Sequence, residues 1–197
     1  LRDAQGNVAM LYDRDEDVRG TVLAWTSLDC MVAKLSLPKL VEMAEDYEPE
    51  GIRFFGVNPN IQDTPEEIVE RMTQGGGDFP ILTDPMQAVT DRVEIERTPE
   101  VILLAADFRV IYRGAIDDQY KVGASQPFAR HEWLVEAIEC LIADEEIETA
   151  RTEPAGCLVG RIVDRAQIEL SYNRDIAPIL DKNCVPCHRP EQIGPMS

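Results

Sequence analysis

The sequence predicts an α/β protein: a central mixed β-sheet flanked by helices, with a short helical segment at the C-terminal end. Three observations carry this. An apolar, β-prone run at residues 21–26 gives way, after a brief polar turn, to an amphipathic helical pattern. A second apolar run, Ile52-Arg53-Phe54-Phe55-Gly56-Val57-Asn58, follows that helix, so strand, helix and strand form a unit with two parallel strands. A later hairpin, 101–105 with 109–112 turning at Asp107-Phe108, brings antiparallel strands to the sheet.

In chain order, residues 1–12 read as a β-hairpin turning at Gln5-Gly6-Asn7, and 13–20 as a charged connector. The strand at 21–26 is followed by Ser27 and Asp29, which make the turn that delivers Cys30. Val32, Leu35, Leu37, Leu40, Val41 and Met43 then alternate with Lys34, Lys39 and Glu42, the pattern of a helix starting at or just after Cys30. Pro38 inside it predicts a kink, and Glu48-Pro49-Glu50-Gly51 ends it. After the strand at 52–58, Thr64-Pro65-Glu66-Glu67 opens the next helix: Thr caps, Pro sits in the first turn and acids follow. That helix runs to about residue 74 and stops at Gly75-Gly76-Gly77, a turn that lacks the Lys-Ser/Thr of a phosphate loop.

A segment at 79–84 and a helical stretch at 87–93 lead to Thr98-Pro99, directly before the strand that opens the hairpin. Asp117-Asp118-Gln119-Tyr120 and a Gly/Ser/Pro loop lead to a helix from Arg130 to about Asp144. Leu134, Val135, Ile138, Leu141 and Ile142 give it an apolar face, Cys140 is a structural thiol beside that face, and His131 at its start faces solvent.

Charge narrows the function classes. Thirty-seven acidic residues against 19 basic ones leave a formal net charge of −18, which argues against nucleic acid or an anionic membrane surface as partner. No apolar run approaches the roughly 20 residues of a membrane span. The chain opens at Leu1 with neither an initiator Met nor a signal peptide, which leaves its destination open.

Chemistry centres first on Cys30. A cysteine at a strand-to-helix turn meets backbone N–H groups and the positive end of the helix dipole, and both favour the reactive thiolate. Lys34, one turn on, adds positive charge, while the Asp29 carboxylate favours the neutral thiol. Strand, Cys30, helix, Lys34 and Pro38 together resemble the active-site element of the thioredoxin/peroxiredoxin superfamily (the AhpC/TSA-type redoxins), and the resemblance covers residues 1–160. The departures are specific. Ala33 stands where thioredoxins carry a second cysteine, Met31 stands where many relatives have Pro, and Leu23 occupies the Pro position of the peroxidatic pattern, although Ser27 fits its Ser/Thr position three residues before Cys30.

The resemblance implies a thioredoxin-like fold in which Thr98-Pro99 is a cis-proline site opposite Cys30, with backbone before Pro99 that faces the sulfur and can pair with an extended substrate. It also makes Cys157, in the Gly156-Cys157 segment after the last helix, the candidate resolving thiol; the alternative is a thiol with no partner, because cysteine pairing does not follow from sequence. Cys30 has its own bland alternative, a small buried thiol packed between strand and helix.

Composition changes near the end. Residues 165–197 hold four basic groups (Arg165, Arg174, Lys182, Arg189) and four acidic ones (Glu169, Asp175, Asp181, Glu191), so the whole −18 belongs to the preceding part. A short helix at 172–180 precedes Cys184-Val185-Pro186-Cys187-His188. C-x-x-C-H attaches c-type haem: Cys184 and Cys187 as thioethers, His188 as proximal ligand of the haem iron. A zinc site would need two further ligands beyond the cysteines, and only His188 lies nearby. Residues 171–197 resemble the opening of the cytochrome c domain that follows redoxin domains in some large bacterial proteins. The expected plan is therefore a redoxin domain at 1–160, a linker at 161–170 and the truncated start of a haem-binding domain at 171–197, all part of a larger polypeptide or complex.

Two functions remain open. In the first, the chain is a thiol-dependent oxidoreductase: Cys30 reduces a peroxide or exchanges with a disulfide, Cys157 resolves it, Ser27, Lys34 and Pro99 shape the site, and covalent haem c trades electrons with a redox partner protein. In the second, the redoxin fold is a non-catalytic docking or metal-handling module beside an electron-transfer cytochrome. Haem c attachment and persistent disulfides both point to a periplasmic or otherwise extracytoplasmic location.

Overall fold

The computed structural model describes residues 1–9, 17–77, 79–121, 124–162, 171–183 and 185. The chain divides into two compact units, Leu1–Arg161 and Ile162–Ser197.

The first unit is built on the strand Gly20–Trp25 (β2), whose six residues are all buried. Its side chains alternate between two layers, as a pleated strand requires. Val22 and Ala24 join the larger core cluster, and Leu23 and Trp25 join the opposite one. The amphipathic run becomes helix α1, Met31–Tyr47, which continues through Pro38. A 3-10 turn at Glu48–Glu50 and left-handed Gly51 then feed β3, Ile52–Asn58, parallel to β2.

Helix α2, Pro65–Gln74, carries the full capping box anticipated at Thr64: the Thr64 hydroxyl accepts from Glu67 N–H, and the Glu67 carboxylate accepts from Thr64 N–H. The short strand β4, Ile81–Thr83, pairs parallel with β3. Helix α3, Ala88–Arg92, follows. Next come β5 (Arg97–Thr98), β6 (Glu100–Ala105) and β7 (Val110–Gly114); β6 runs antiparallel to both β2 and β7. At the start of the chain, β1 (Arg2–Asp3) lies antiparallel to β4, which gives a six-stranded mixed sheet in the order β1-β4-β3-β2-β6-β7. A two-residue hairpin, β8 (Tyr120–Lys121) with β9 (Ala124–Ser125), precedes helix α4, Trp133–Ala143.

Helices α1 and α4 cover one face through Leu40, Met43, Leu134, Ala137 and Ile138, and α2 packs beside α1 through Ile68 and Met72. On the other face Ile95 and Val159 close over Leu23, Trp25 and Ile102. The two faces bury enough apolar surface to drive folding.

Three elements differ from expectation. The N-terminal hairpin shrinks to a turn in which Asp3 N–H donates to Asn7 O at 2.9 Å, with a single Arg2–Val8 bridge; β1 finds its main partner in β4, and residues 10–12 lie outside the described residues. Helix α4 begins at Trp133, not Arg130, because Asp118 Oδ1 accepts the N–H groups of Arg130 (2.7 Å) and His131 (3.2 Å) and holds them in the loop. The third is a two-residue strand, β10 (Cys157–Leu158), paired antiparallel with β5.

In the second unit, a π-helical turn at Tyr172–Ile176 runs into helix α5, Ala177–Asn183. Val185 N–H donates to Leu180 O at 2.9 Å. Cys184, Cys187 and His188 lie outside the described residues.

Candidate functional site

The turn between β2 and α1 is held by side chains from the far end of β3. Asp63 Oδ2 accepts from Leu28 N–H (3.0 Å) and from Asn58 Nδ2 (2.8 Å), and Asn60 Nδ2 donates to Ser27 Oγ (2.6 Å). Asn58 Oδ1 in turn accepts from Asn60 N–H at 2.8 Å. A buried or half-buried network of this kind fixes a loop because every unmade bond inside it costs about 1–3 kcal/mol. It presents Cys30 as the N-cap of α1, with extended backbone and a sulfur that accepts from Ala33 N–H at 3.5 Å.

Opposite the sulfur stands the Thr98–Pro99 loop, whose X-Pro bond is cis. The Cys30 thiol donates to the Thr98 carbonyl at 2.8 Å. The backbone before Pro99 thus faces the sulfur, but the edge expected to receive an extended substrate is taken. The chain's own β10 pairs there, with Cys157 opposite Thr98 and Leu158 opposite Arg97.

Residues 155–161 form a strap pinned on both sides of Cys157. Arg97 Nη1 donates to Gly156 O (2.8 Å), Val159 N–H donates to Glu96 O (2.9 Å), and Gln87 Nε2 donates to Gly160 O (2.7 Å). Arg161 bonds Asp91 and the Ile95 carbonyl, while the Ala155 and Val159 side chains are buried. Gly156 makes the close approach possible: its φ is +141°, and a Cβ there would stand 2.0 Å from the Thr98 carbonyl oxygen.

This strap brings Cys157 to the Cys30 site: Cys157 pairs opposite Thr98, whose carbonyl accepts the Cys30 thiol, and the two thiols shift each other's pKa. Cys30 is 1% exposed, whereas Cys157 is exposed; among the described cysteines both are free thiols, as is half-buried Cys140. Burial pushes the Cys30 pKa up, yet the N–H groups of Ala33 and Cys157 and side-chain bonds from Cys157 and Thr98 outweigh it, so the thiol lies below its ordinary value. For Cys157 the direction reverses. Its hydrogen bond to Cys30, burial and the charge on Cys30 hold it above the ordinary value, against the Met31 N–H and the positive charge of Arg97.

The structure therefore brings Cys30, Cys157 and the Pro99 loop together. It does not bring Ser27 in, since its hydroxyl accepts from Asn60. Lys34 is exposed on α1, and what it offers locally is its N–H, which donates to Cys30 O at 2.9 Å. The leading influences on the Cys30 pKa are burial, the Ala33 and Cys157 N–H groups, the Cys157 side chain and Thr98. His131 is exposed and stacks on Trp133 at 6.1 Å. Among the described residues no group of three or more His, Cys, Asp or Glu side chains is arranged to hold a metal ion, and no helix is long and apolar enough to cross a membrane.

Sequence reasoning missed Asn58, Asn60, Asp63 and Arg97. A signal did exist for the first three: polar residues clustered just after an apolar strand parallel to β2 fall on the same sheet edge as Cys30.

Comparison with known proteins places these features. The family model described as the AhpC/TSA family matches residues 1–119, a span that contains Cys30 and Pro99. No curated protein matches the chain. An uncharacterized conserved protein from Geobacillus kaustophilus superposes with a TM-score of 0.74 at 27% identity, over 82% of this chain and 87% of its own. A hypothetical protein from Sinorhizobium meliloti gives 0.73 at 25% identity, over 81% and 88%. A secreted Mycobacterium tuberculosis disulfide oxidoreductase homologous to E. coli DsbE gives 0.54 at 13% identity, over 71% and 92%, a likeness of fold alone. The fold is thioredoxin-like, a mixed central sheet flanked by helices.

Proposed function

We propose that this chain, which belongs to the AhpC/TSA family, is a thiol–disulfide oxidoreductase whose redox couple is Cys30 with Cys157. One observation carries the reading: the β5–β10 register sets Cys157 opposite Thr98, the residue whose carbonyl accepts the Cys30 thiol. Both thiols therefore meet at Thr98, and the strap holds them there as a pair. In a full cycle the dithiol gives up two electrons and two protons. A substrate disulfide bond breaks, its two sulfurs leave as thiols, and a Cys30–Cys157 bond forms through a mixed disulfide. The helix N-terminus and the Ala33 N–H stabilise the Cys30 thiolate, which makes it the better leaving group when the bond is reopened.

Disulfide exchange is favoured over peroxide reduction. Leu23 fills the Pro position of the peroxidatic pattern, and the Ser27 hydroxyl is engaged as acceptor by Asn60 Nδ2. A non-catalytic docking or metal-handling module would be favoured by a Cys30 both buried and far from Cys157; Cys30 is buried, but Thr98 accepts its thiol and pairs with Cys157, so the two are not far apart.

The proposal extends to the C-terminal segment. Two thiols with two residues between them and an adjacent imidazole have the donor chemistry for covalent haem c, so Cys184 and Cys187 would carry the thioethers and His188 the iron; haem bound there would supply one-electron transfer. Both redox groups suit a location outside the cytosol, where disulfides persist.

The test is mild oxidation of the reduced chain followed by peptide mapping. A Cys30–Cys157 cross-linked peptide, with both thiols lost together, is expected; Cys157 left free to alkylate while Cys30 is oxidised would overturn the couple. For the haem, expression with a haem-ligation system should give a mass gain and a red band that survives denaturation, and His188→Ala should alter the spectrum of the loaded protein. An unchanged spectrum would remove His188 as ligand.

A further inference from the structure

We propose that Cys157, not Cys30, is the thiol that meets the partner, and that Cys30 works behind it as the closing nucleophile. This rests on the dithiol reading above and inverts the order of attack that the family resemblance implies.

Access carries the argument. Cys30 is 1% exposed: its sulfur is enclosed by its own helix turn, by the Thr98 carbonyl and by the strap. The strap is not a loose cover. It is anchored through Gly156, Val159 and Gly160 on both sides of Cys157, and Gly156 lies so close to Thr98 that an added Cβ would stand 2.0 Å from its carbonyl oxygen, which leaves no space for an intervening chain. A partner that adds an extended strand to the Thr98 edge meets β10 already in place. What it can reach is the exposed Cys157, and the residues that follow the two cysteines, Met31 (62%) and Leu158 (67%), are exposed as well. The substrate class is therefore a thiol or disulfide that docks at this surface sulfur, with apolar groups beside it to cover Met31 and Leu158, and not an extended polypeptide paired along β5.

As Cys157 attacks a substrate disulfide, its S–H bond breaks and the proton goes to solvent. A bond forms between Cys157 Sγ and one substrate sulfur, the substrate S–S bond breaks, and the electron pair leaves with the second sulfur, which takes a proton from solvent. Cys30 gives its own proton to solvent as the thiolate that the Ala33 N–H stabilises, and attacks Cys157 Sγ; the mixed disulfide breaks, and the other substrate sulfur departs as a thiolate and is protonated by solvent. Two thiols have become one disulfide and one disulfide two thiols.

The full chain and its Cys30→Ser and Cys157→Ser variants test this, reduced and mixed with excess glutathione disulfide. Samples are acid-quenched over time and adducts assigned by peptide mapping, since Cys140, Cys184 and Cys187 are also present. The Cys30→Ser chain is expected to trap a mixed disulfide on Cys157 at least tenfold faster than the Cys157→Ser chain traps one on Cys30. With the unsubstituted reduced chain, a substoichiometric bulky maleimide should label Cys157 before Cys30. Equal or faster trapping at Cys30, or first labelling of Cys30, overturns the proposal. The oxidised unsubstituted chain separates the two failures. If its Cys30–Cys157 cross-link forms while Cys30 reacts first, only the order of attack is wrong; if no cross-link forms, the couple itself falls.

Discussion

Gly156 occupies a position that no other residue type fits. With φ at +141° and a would-be Cβ 2.0 Å from a backbone oxygen, Gly156→Ala must push the strap off β5, because a carbonyl cannot rotate away as a flexible side chain could. The expected loss exceeds about 1 kcal/mol in urea unfolding, with slower formation of the Cys30–Cys157 bond; unchanged stability would mean that the strap does not need this contact. The cysteines themselves make a sharper prediction. In the reduced protein Cys30 lies below the ordinary thiol value of 9.0 and Cys157 above it. A depressed folded-state pKa adds stability that is present above the unfolded value and lost as pH falls through the folded one; a raised pKa adds stability that is present below the unfolded value and lost as pH rises. The stability of reduced protein relative to oxidised should therefore climb with pH towards about 9 and decline beyond it. Urea midpoints of the two forms across pH 6–11 check this, every other titrating group being common to both. A flat difference would show that the two thiols do not share a proton. Either Cys→Ala variant should remove one step from the thiolate absorbance titration and move that of its former partner, over the unchanged background of Cys140, Cys184 and Cys187.

Among the elements, the turn before α1 and the strap after α4 make the site, and they differ in how far the sequence announces them. The turn's supports are Asn58, Asn60 and Asp63. Asp63→Ala removes the acceptor of Leu28 N–H and Asn58 Nδ2, so unfolding should become easier by about 1–3 kcal/mol. Oxidation of the dithiol should slow with it, as Cys30 loses its fixed place at the helix N-terminus. Full activity in a merely less stable variant would confine Asp63 to folding. The β2–α1–β3 unit and the Thr64 capping box were legible because apolar period and cap residues are local signals. Cys157 could be flagged as a candidate, but its partner strand could not. Two residues show no periodicity, and β10 exists only because β5, some sixty positions earlier, offers an unpaired edge. The start of α4 was misplaced for a similar reason: Asp118, a dozen residues upstream, captures N–H groups that local propensity assigns to the helix.

For the whole molecule, the mixed sheet and the thioredoxin-like order of elements followed from the alternation of strands and helices, which survives errors at any one boundary. The charge is a global property of another kind, and it sets the last prediction. All 18 net negative charges fall before residue 165, where they repel one another, and opposing them are specific pairs within the fold. Lys39 meets Asp117 at 2.5 Å and Arg113 meets Glu100 at 2.6 Å, the acidic partner buried in each case. Salt acts unequally on the two contributions. Buried pairs are little screened, whereas exposed charges lose their mutual repulsion as the Debye length shrinks from ~30 Å at 0.01 M to ~8 Å at 0.15 M. Repulsion should therefore decide the sign. Raising NaCl over that range is expected to lift the melting temperature by roughly 2–4 °C, what about 1 kcal/mol does for a domain of this size. KCl should act alike, since the effect is screening and not site binding. A melting temperature that falls with salt would show instead that ion pairs, not the surplus of carboxylates, dominate the electrostatics of folding.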